Sequence, residues 1–241
     1  MSADVVFTKE NLDVYLSRLA KAFRKLNGKK IPAELILIGG ASVLVNYGFR
    51  EMTYDIDALI HASSAMKDAI NQVGDELGLP NGWLNSDFVK TKSFSPKLSQ
   101  YSKYYKKFGY ILEVRTISRE YLVAMKLMSG RLYKNDRSDI IGILKEEENN
   151  GNPITIDMIE TAVTNLYDSW DNLPEDSKIF IKEIFDNGRL DISYEACRKN
   201  EINARKSLVE FDKKYPGATN TDNVSEIIKI LNKRKEDKGL M

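Results

Sequence analysis

Leu37-Ile38-Gly39-Gly40-Ala41-Ser42, followed by Tyr54-Asp55-Ile56-Asp57-Ala58-Leu59-Ile60, is the stretch on which the fold turns. Glu34 to Ile38 is a short apolar run that stops at Gly39-Gly40, and Ala41 to Tyr47 then has helical character until Gly48. Tyr54 to Ile60 alternates, with Tyr54, Ile56, Ala58 and Ile60 on one face and Asp55 and Asp57 on the other. A strand that ends in Gly-Gly and turns into a helix exposes backbone amides at a positive helix end, without side chains where a phosphate must approach. Ser42 adds a hydroxyl donor to that turn. Asp55 and Asp57 would stand on one strand face with Cα atoms ~6.6 Å apart. Carboxylates so placed can share divalent metal, and a phosphate cradle beside them is what phosphoryl or nucleotidyl transfer needs.

Working outward, Lys9 to Leu26 reads as a helix with Leu12, Tyr15, Leu16, Leu19 and Phe23 on one face. A second helix is expected from Ser63 or Ser64 to Leu77, ended by Gly78 and Pro80. Gly109 to Ile117 is a strand candidate, with Ser118 placed to cap the next helix. From Ser118 onward almost everything reads as helix, broken at Gly151-Asn152-Pro153, Leu173-Pro174, Asn187-Gly188 and Pro216-Gly217. The order α-β-α-β-α-β followed by helices predicts an α/β (α+β) sheet domain over residues 1–150 and a helical domain over 151–241.

Composition narrows the chemistry. Lys plus Arg is 36 and Asp plus Glu 35 in 241 residues, a net charge of +1, so bulk charge alone would not hold the chain on nucleic acid or membrane. One His (His61) and one Cys (Cys197) exclude an intramolecular disulfide and Cys/His zinc sites. Triads built on histidine would all rest on His61, which reads as a strand-end surface residue. Carboxylates, lysines, backbone amides or a bound metal are left to run any reaction. Met1 to Phe7 carries Asp4 and leads into a charged amphipathic stretch, unlike a signal peptide. Apolar runs fall far below the ~20 residues of a membrane helix. A soluble cytoplasmic protein with no membrane partner is expected.

Gly39-Gly40-Ala41-Ser42, then Gly48, Arg50, Thr53, Asp55 and Asp57, resembles the signature of the minimal nucleotidyltransferases, nearest to the AbiEii-like branch associated with bacterial toxin–antitoxin and phage-defence loci. A second block, Tyr121 to Arg131 leading into Lys134-Asn135-Asp136-Arg137-Ser138-Asp139, is similar to that family's Lys-bearing helix followed by a helix opening with Asp-x-x-Asp. The resemblance covers about residues 33–145. It implies a mixed sheet flanked by helices, and a Mg²⁺-dependent transfer (Mn²⁺ as substitute) of a nucleoside monophosphate from a nucleoside triphosphate. The implied acceptor is an RNA end, tRNA for example, or a protein hydroxyl, and the implied partner a cognate toxin or antitoxin. Gly39, Gly40, Ser42, Arg50 and Lys126 would hold the nucleotide, and Asp55 and Asp57 the metal.

Lys126 is a lone cation on an otherwise apolar helix, either snorkelling past the core edge or aimed at a triphosphate. Arg131 and Lys134 either reinforce that field or lie on the surface, while Asp136 reads as a helix N-cap with Asp139 three residues on. The family's third carboxylate has one candidate here, Glu113, where the family favours Asp. Glu113 either completes the catalytic set, binding metal or taking a proton, or forms a solvent-facing pair with Arg115. The Asp-x-Asp of haloacid-dehalogenase-like phosphatases follows a continuous apolar strand, which Arg50-Glu51-Met52-Thr53-Tyr54 is not. Leu84 to Tyr110 carries Lys90, Lys92, Lys97, Lys103, Lys106 and Lys107 among seven aromatics, either a nucleic-acid strip or a solvated loop over packed rings. Glu146-Glu147-Glu148 and the later acids read as solvated helix faces or a dock for a basic protein.

Overall fold

The computed structural model describes residues 5–27, 31–220 and 223–236; the leader reading rests partly on Met1 to Asp4, outside them. Two compact units form, one from Met1–Met125 with Thr155–Asn172, the other from Lys126–Ile154 with Leu173–Met241. Each is therefore discontinuous in sequence.

The first unit is built on a five-stranded mixed sheet of order β3-β2-β1-β5-β4. Its elements are α1 (Lys9–Leu26), β1 (Ala33–Leu37), α2 (Gly39–Asn46), β2 (Ile56–His61), α3 (Ala65–Leu77), β3 (Leu84–Asn85), β4 (Ser102–Phe108) and β5 (Leu112–Ile117). The first part of α4 (Arg119–Ser129) and α6 (Ile156–Tyr167) belong to the same unit. Strand β1 pairs antiparallel with β2 and parallel with β5, and β4 is antiparallel to β5. Thr8 opens α1 with a reciprocal capping box to Asn11. The helix then buries Leu12, Leu16, Leu19 and Phe23 in one core with Leu35, Leu37, Ala58 and Val114. Each such side chain contributes about 1.5–3 kcal/mol by leaving water. The opposite sheet face carries Glu34, His61 and Glu113 in one cross-strand row.

The mixed sheet flanked by helices is as expected, but it has five strands where three were anticipated. Strand β2 begins at Ile56, so Asp55 stands just before it and Tyr54 is outside it and exposed. Tyr110 likewise falls in the β4–β5 turn and not on a strand face with Leu112 and Val114. Helix α2 starts at Gly39, so the Gly-Gly pair is its first turn.

The second unit comprises the end of α4, α5 (Asp136–Asn149), α7 (Glu175–Asn187), α8 (Leu190–Lys214) and α9 (Val224–Glu236). The expected breaks at 151–153, 173–174 and 216–217 fall between helices, and that at 187–188 falls on the last residue and C-cap of α7. Ala204 of α8 packs with Val224 and Ile228 of α9, and Leu132, Tyr133 and Leu208 pack against them. Among the described residues no helix is long and apolar enough to cross a membrane.

Candidate functional site

The glycine turn and the aspartates meet at one end of the paired interior strands β1 and β2. Ile38 N–H donates to the Asp57 carbonyl at 2.9 Å, continuing the β1–β2 ladder past Leu37. Gly39 has φ +55, a left-handed conformation that favours glycine. A Cβ on it would lie 4.0 Å from Asp57 Oδ2, which fixes how closely the turn approaches that carboxylate. Ser42 N–H bonds the Ile38 carbonyl, so the amides of Gly39, Gly40 and Ala41 precede the first intrahelical bond. Ile38 supplies no side-chain cap to them. Amides, a positive helix end and two carboxylates thus share one partly accessible end of the sheet.

Gly40 has a tighter reason to be glycine. A Cβ there would stand 2.6 Å from Thr53 Oγ1 and 2.9 Å from Arg50 Nη2. Thr53 is buried and held by backbone bonds in both directions to Phe7, at 2.8 and 2.9 Å. Its hydroxyl lies 3.3 Å from both Asp55 Oδ1 and the Asp55 carbonyl, orienting the first aspartate. Arg50 Nε donates to the Met52 carbonyl at 3.1 Å, which lays the guanidinium beside the α2 turn. Gly40→Ala should therefore destabilise the protein by about 1–3 kcal/mol, the usual range for overpacking. Chemical denaturation checks this, and an unchanged midpoint would show that Thr53 and Arg50 give way freely.

The remaining expected residues lie elsewhere. Ser42 is fully buried, and its hydroxyl accepts Ile117 N–H at 3.2 Å, tying α2 to β5. Glu113 pairs in register with Glu34, whereas Leu37 aligns with Ala58 and Thr116. The row of Asp57 therefore meets β5 at Ile117, four residues beyond Glu113. That separation is about 13 Å along the strands, with a further offset of about 10 Å across two strand spacings. Glu113 accepts instead from Arg115 Nη1 at 3.0 Å, and Glu34 lies 2.9 Å from His61 Nδ1. The register does not bring Glu113 to the aspartate pair. Among the described residues no group of three or more His, Cys, Asp or Glu side chains could hold a metal ion. A donor set of Asp55 and Asp57 still suits Mg²⁺, which is commonly held by one or two carboxylates with substrate phosphates and water.

Lys126 belongs to a buried network in the second unit. Its Nζ lies 2.7 Å from Asp139 Oδ2 and 3.1 Å from Asp136 Oδ1, and all three side chains are buried. Arg131 adds a two-point contact to Asp136 at 2.9 and 3.3 Å. Burial alone would raise the Asp136 carboxyl, but Lys126 and Arg131 hold it well below the usual range. Neither snorkelling nor a free point charge describes this lysine. Asp136 is the first residue of α5, and the N-cap is Asn135.

Sequence reasoning missed Glu201, which reaches from α8 to cap α5. Its Oε1 accepts Arg137 N–H at 3.0 Å and Ser138 N–H at 3.2 Å, and Ser138 Oγ donates to Oε2 at 2.5 Å. Burial raises this carboxyl from 4.5 to about 7, with Asp139 and Asp136 adding to the rise against the Ser138 hydrogen bonds. A pKa raised on folding means that the folded state binds the extra proton. The resulting stability is full below about pH 4.5 and is lost as pH rises through about 7. Wild-type stability should fall over that window, and Glu201→Gln should flatten the profile and match or exceed wild type at pH 8. Denaturant melts at several pH values check this; parallel profiles for the two proteins would refute it.

The basic segment divides. Lys90, Lys97 and Lys106 each lie 2.7 Å from a carboxylate, of Asp87, Asp168 and Asp13 respectively. Phe88 packs edge-on against Phe94, and Tyr101 stacks on Tyr121 at 3.8 Å. Tyr104 and Tyr110 remain exposed.

No curated protein and no solved structure matches the chain. A family profile does, over residues 15–179, a span that takes in the glycine turn, both aspartates and Lys126. The chain therefore belongs to DUF6036, the family described as a nucleotidyltransferase of unknown function.

Proposed function

We propose that the protein transfers a nucleoside monophosphate from a nucleoside triphosphate to an RNA end or a protein hydroxyl, with Mg²⁺ as cofactor. The observation that carries this reading is the meeting of Gly39, Asp57 and the Thr53-oriented Asp55 at the positive end of α2. The amides of Gly39 and Gly40 and the Arg50 guanidinium receive the triphosphate. Ser42 secures the helix that presents them. Asp55 and Asp57 would hold the metal, which when bound neutralises phosphate charge and orients the reacting oxygens. The acceptor oxygen forms a bond to the α-phosphorus, the bond to pyrophosphate breaks, and the hydroxyl proton passes to solvent. Lys126 acts through its hold on Asp136 and Asp139. The family resemblance supports a setting in a bacterial toxin–antitoxin or phage-defence pair, and with it a cytoplasmic location.

The position of Glu113, far from Asp57 in register, favours a second reading. Here the same site, without a third carboxylate, binds nucleotide, RNA or a partner protein and is catalytically idle. One experiment separates the two. Labelled nucleoside triphosphates, Mg²⁺ and total RNA or a cell lysate are incubated with wild type and with the Asp55→Asn, Asp57→Asn double variant. Label transfer by wild type alone supports the enzyme. Nucleotide binding without transfer supports the idle module.

A further inference from the structure

The β4–β5 hairpin carries features that the catalytic site does not use. It lies at one edge of the sheet, and β4 has no second strand beside it among the described residues. From Ser102 to Ile117 it holds Lys103, Lys106, Lys107 and Arg115 against the single acid Glu113. Lys106 is neutralised by Asp13, and Arg115 is locked onto Glu113 and Ser102. The Lys103 and Lys107 side chains are exposed and have no hydrogen-bond or ion-pair partner among the described residues. A bulge between Tyr104 and Lys106 leaves Tyr104 opposite Arg115 and Lys107 opposite Glu113, so both project from the same sheet face as Asp57. Lysines alone would be the ordinary protection of an edge strand.

The hairpin tip argues for more. Ile111 N–H closes the turn on the Phe108 carbonyl at 3.3 Å, with Gly109 at φ 56 and Tyr110 at φ 57. Two central residues at positive φ make a turn that asks for Asn or Gly, and a tyrosine there costs about 1–2 kcal/mol. Tyr110 recovers nothing by packing, since it is 92% exposed. Tyr104 is 59% exposed on the adjoining strand. A strained, fully presented ring at the tip, with Tyr104 and Lys107 on one face of the strand that leads to it, is a stacking platform in search of a flat partner.

We infer that this hairpin is a docking ridge for single-stranded RNA. Tyr110 stacks on an unpaired base, Tyr104 offers a second ring, and Lys107, on the same sheet face as Tyr104, pairs with a phosphate, whereas Lys103 lies opposite Thr116 and projects from the other face. The inference rests on the reading of the protein as a nucleotidyltransferase with an RNA acceptor, and it names how that acceptor is held. The tip lies about 20 Å along β5 from the row of Asp57, so the bound stretch is remote from the reacting end.

Fluorescence anisotropy with a labelled mixed-sequence single-stranded RNA, in the absence of nucleotide, tests it. Tyr110→Gly relieves the positive φ and leaves the hairpin folded, yet should weaken binding about 5- to 150-fold, the equivalent of about 1–3 kcal/mol of stacking. Tyr110→Trp should retain it. Lys107→Gln should reduce the slope of log affinity against log salt by about 0.7. No RNA binding by wild type, full binding by Tyr110→Gly, or an unchanged salt slope overturns the inference. So does tighter binding of polyglutamate than of RNA, which would make the ridge a protein dock. Transfer assays on the same RNA keep the two readings apart. Binding through Tyr110 without transfer sustains the ridge and sinks the enzyme, whereas transfer with an unchanged KM in Tyr110→Gly does the reverse.

Discussion

Lys126→Met should cost about 3–5 kcal/mol of folding stability, the range for leaving a buried ionic network without one of its charges. The methionine fits the apolar environment of α4, so no cavity accounts for the loss. Asp139 and Asp136 lose the same ammonium, which stands 2.7 Å from the first and 3.1 Å from the second. Arg131 still serves Asp136 but is itself half exposed, and it contributes less than the buried ammonium it would have to replace. Two carboxylates left at the first turn of α5 gain something from the helix dipole, though far less than the charge removed. Urea denaturation by circular dichroism checks the result. A triple change that also replaces Asp136 by Asn and Asp139 by Asn should recover much of the loss, since it removes the stranded charges together. A Lys126→Met protein as stable as wild type would show that the network is not closed in solution. Lys126 closes this buried network before any nucleotide is present, so lost activity in such a variant would not by itself assign it to the triphosphate.

What was legible in the sequence is what short-range patterning encodes. Helix α1 has the expected bounds, Lys9 to Leu26, because its apolar face and capping box are both local. The pairing of the glycine turn with the Asp-bearing strand follows the general tendency of consecutive strands to lie side by side. Strand β4 was hidden for a physical reason. Its burial runs intermediate, exposed, exposed, intermediate, exposed, exposed, buried, because the bulge at Tyr104–Lys106 shifts the phase of alternation mid-strand. Strand β3 is two residues long and leaves no pattern at all.

The site was legible in part for a related reason. Alternation along a strand gives the face of a side chain but not its row, because register is set by pairing between strands. Alternation sets Glu113 apart from Leu112 and Val114, and the register shows that it shares the sheet face of Asp57. The parallel register with β1 then sets it opposite Glu34 at the far end. Thr53 was part of the resembling motif, yet its work on Asp55 and its fit against Gly40 needed coordinates to appear. Lys126 stood out as a cation among apolar residues, while its partners lie on the next helix. Glu201 caps α5 from 63 positions beyond Ser138, and no local signal points to it.

Asp57→Asn should lower nucleotide transfer by about 10²- to 10³-fold, the loss typical of removing one group that stabilises transition-state charge. Asparagine has the shape of aspartate and keeps the backbone of β2, where the Asp57 carbonyl accepts from Ile38, so the fold should be unaffected. Asp55→Asn should act alike, because the amide oxygen can still accept from Thr53 while the charge is gone. Glu113→Gln makes the comparison decisive. Removing a half-buried pair with Arg115, remote from the aspartates, is worth about 1 kcal/mol, so transfer should change by less than about fivefold. Equal denaturation midpoints for the three variants would confirm that rates and not folding are compared. If Glu113→Gln falls as far as Asp57→Asn, the acid acts at the reacting atoms and the strand register must change when substrate binds. If Asp57→Asn transfers nucleotide as well as wild type, the carboxylates beside Gly39 are not the catalytic pair. The outcome expected from this geometry is a two-aspartate site, oriented by Thr53 and held against α2 by the absence of a side chain at Gly40.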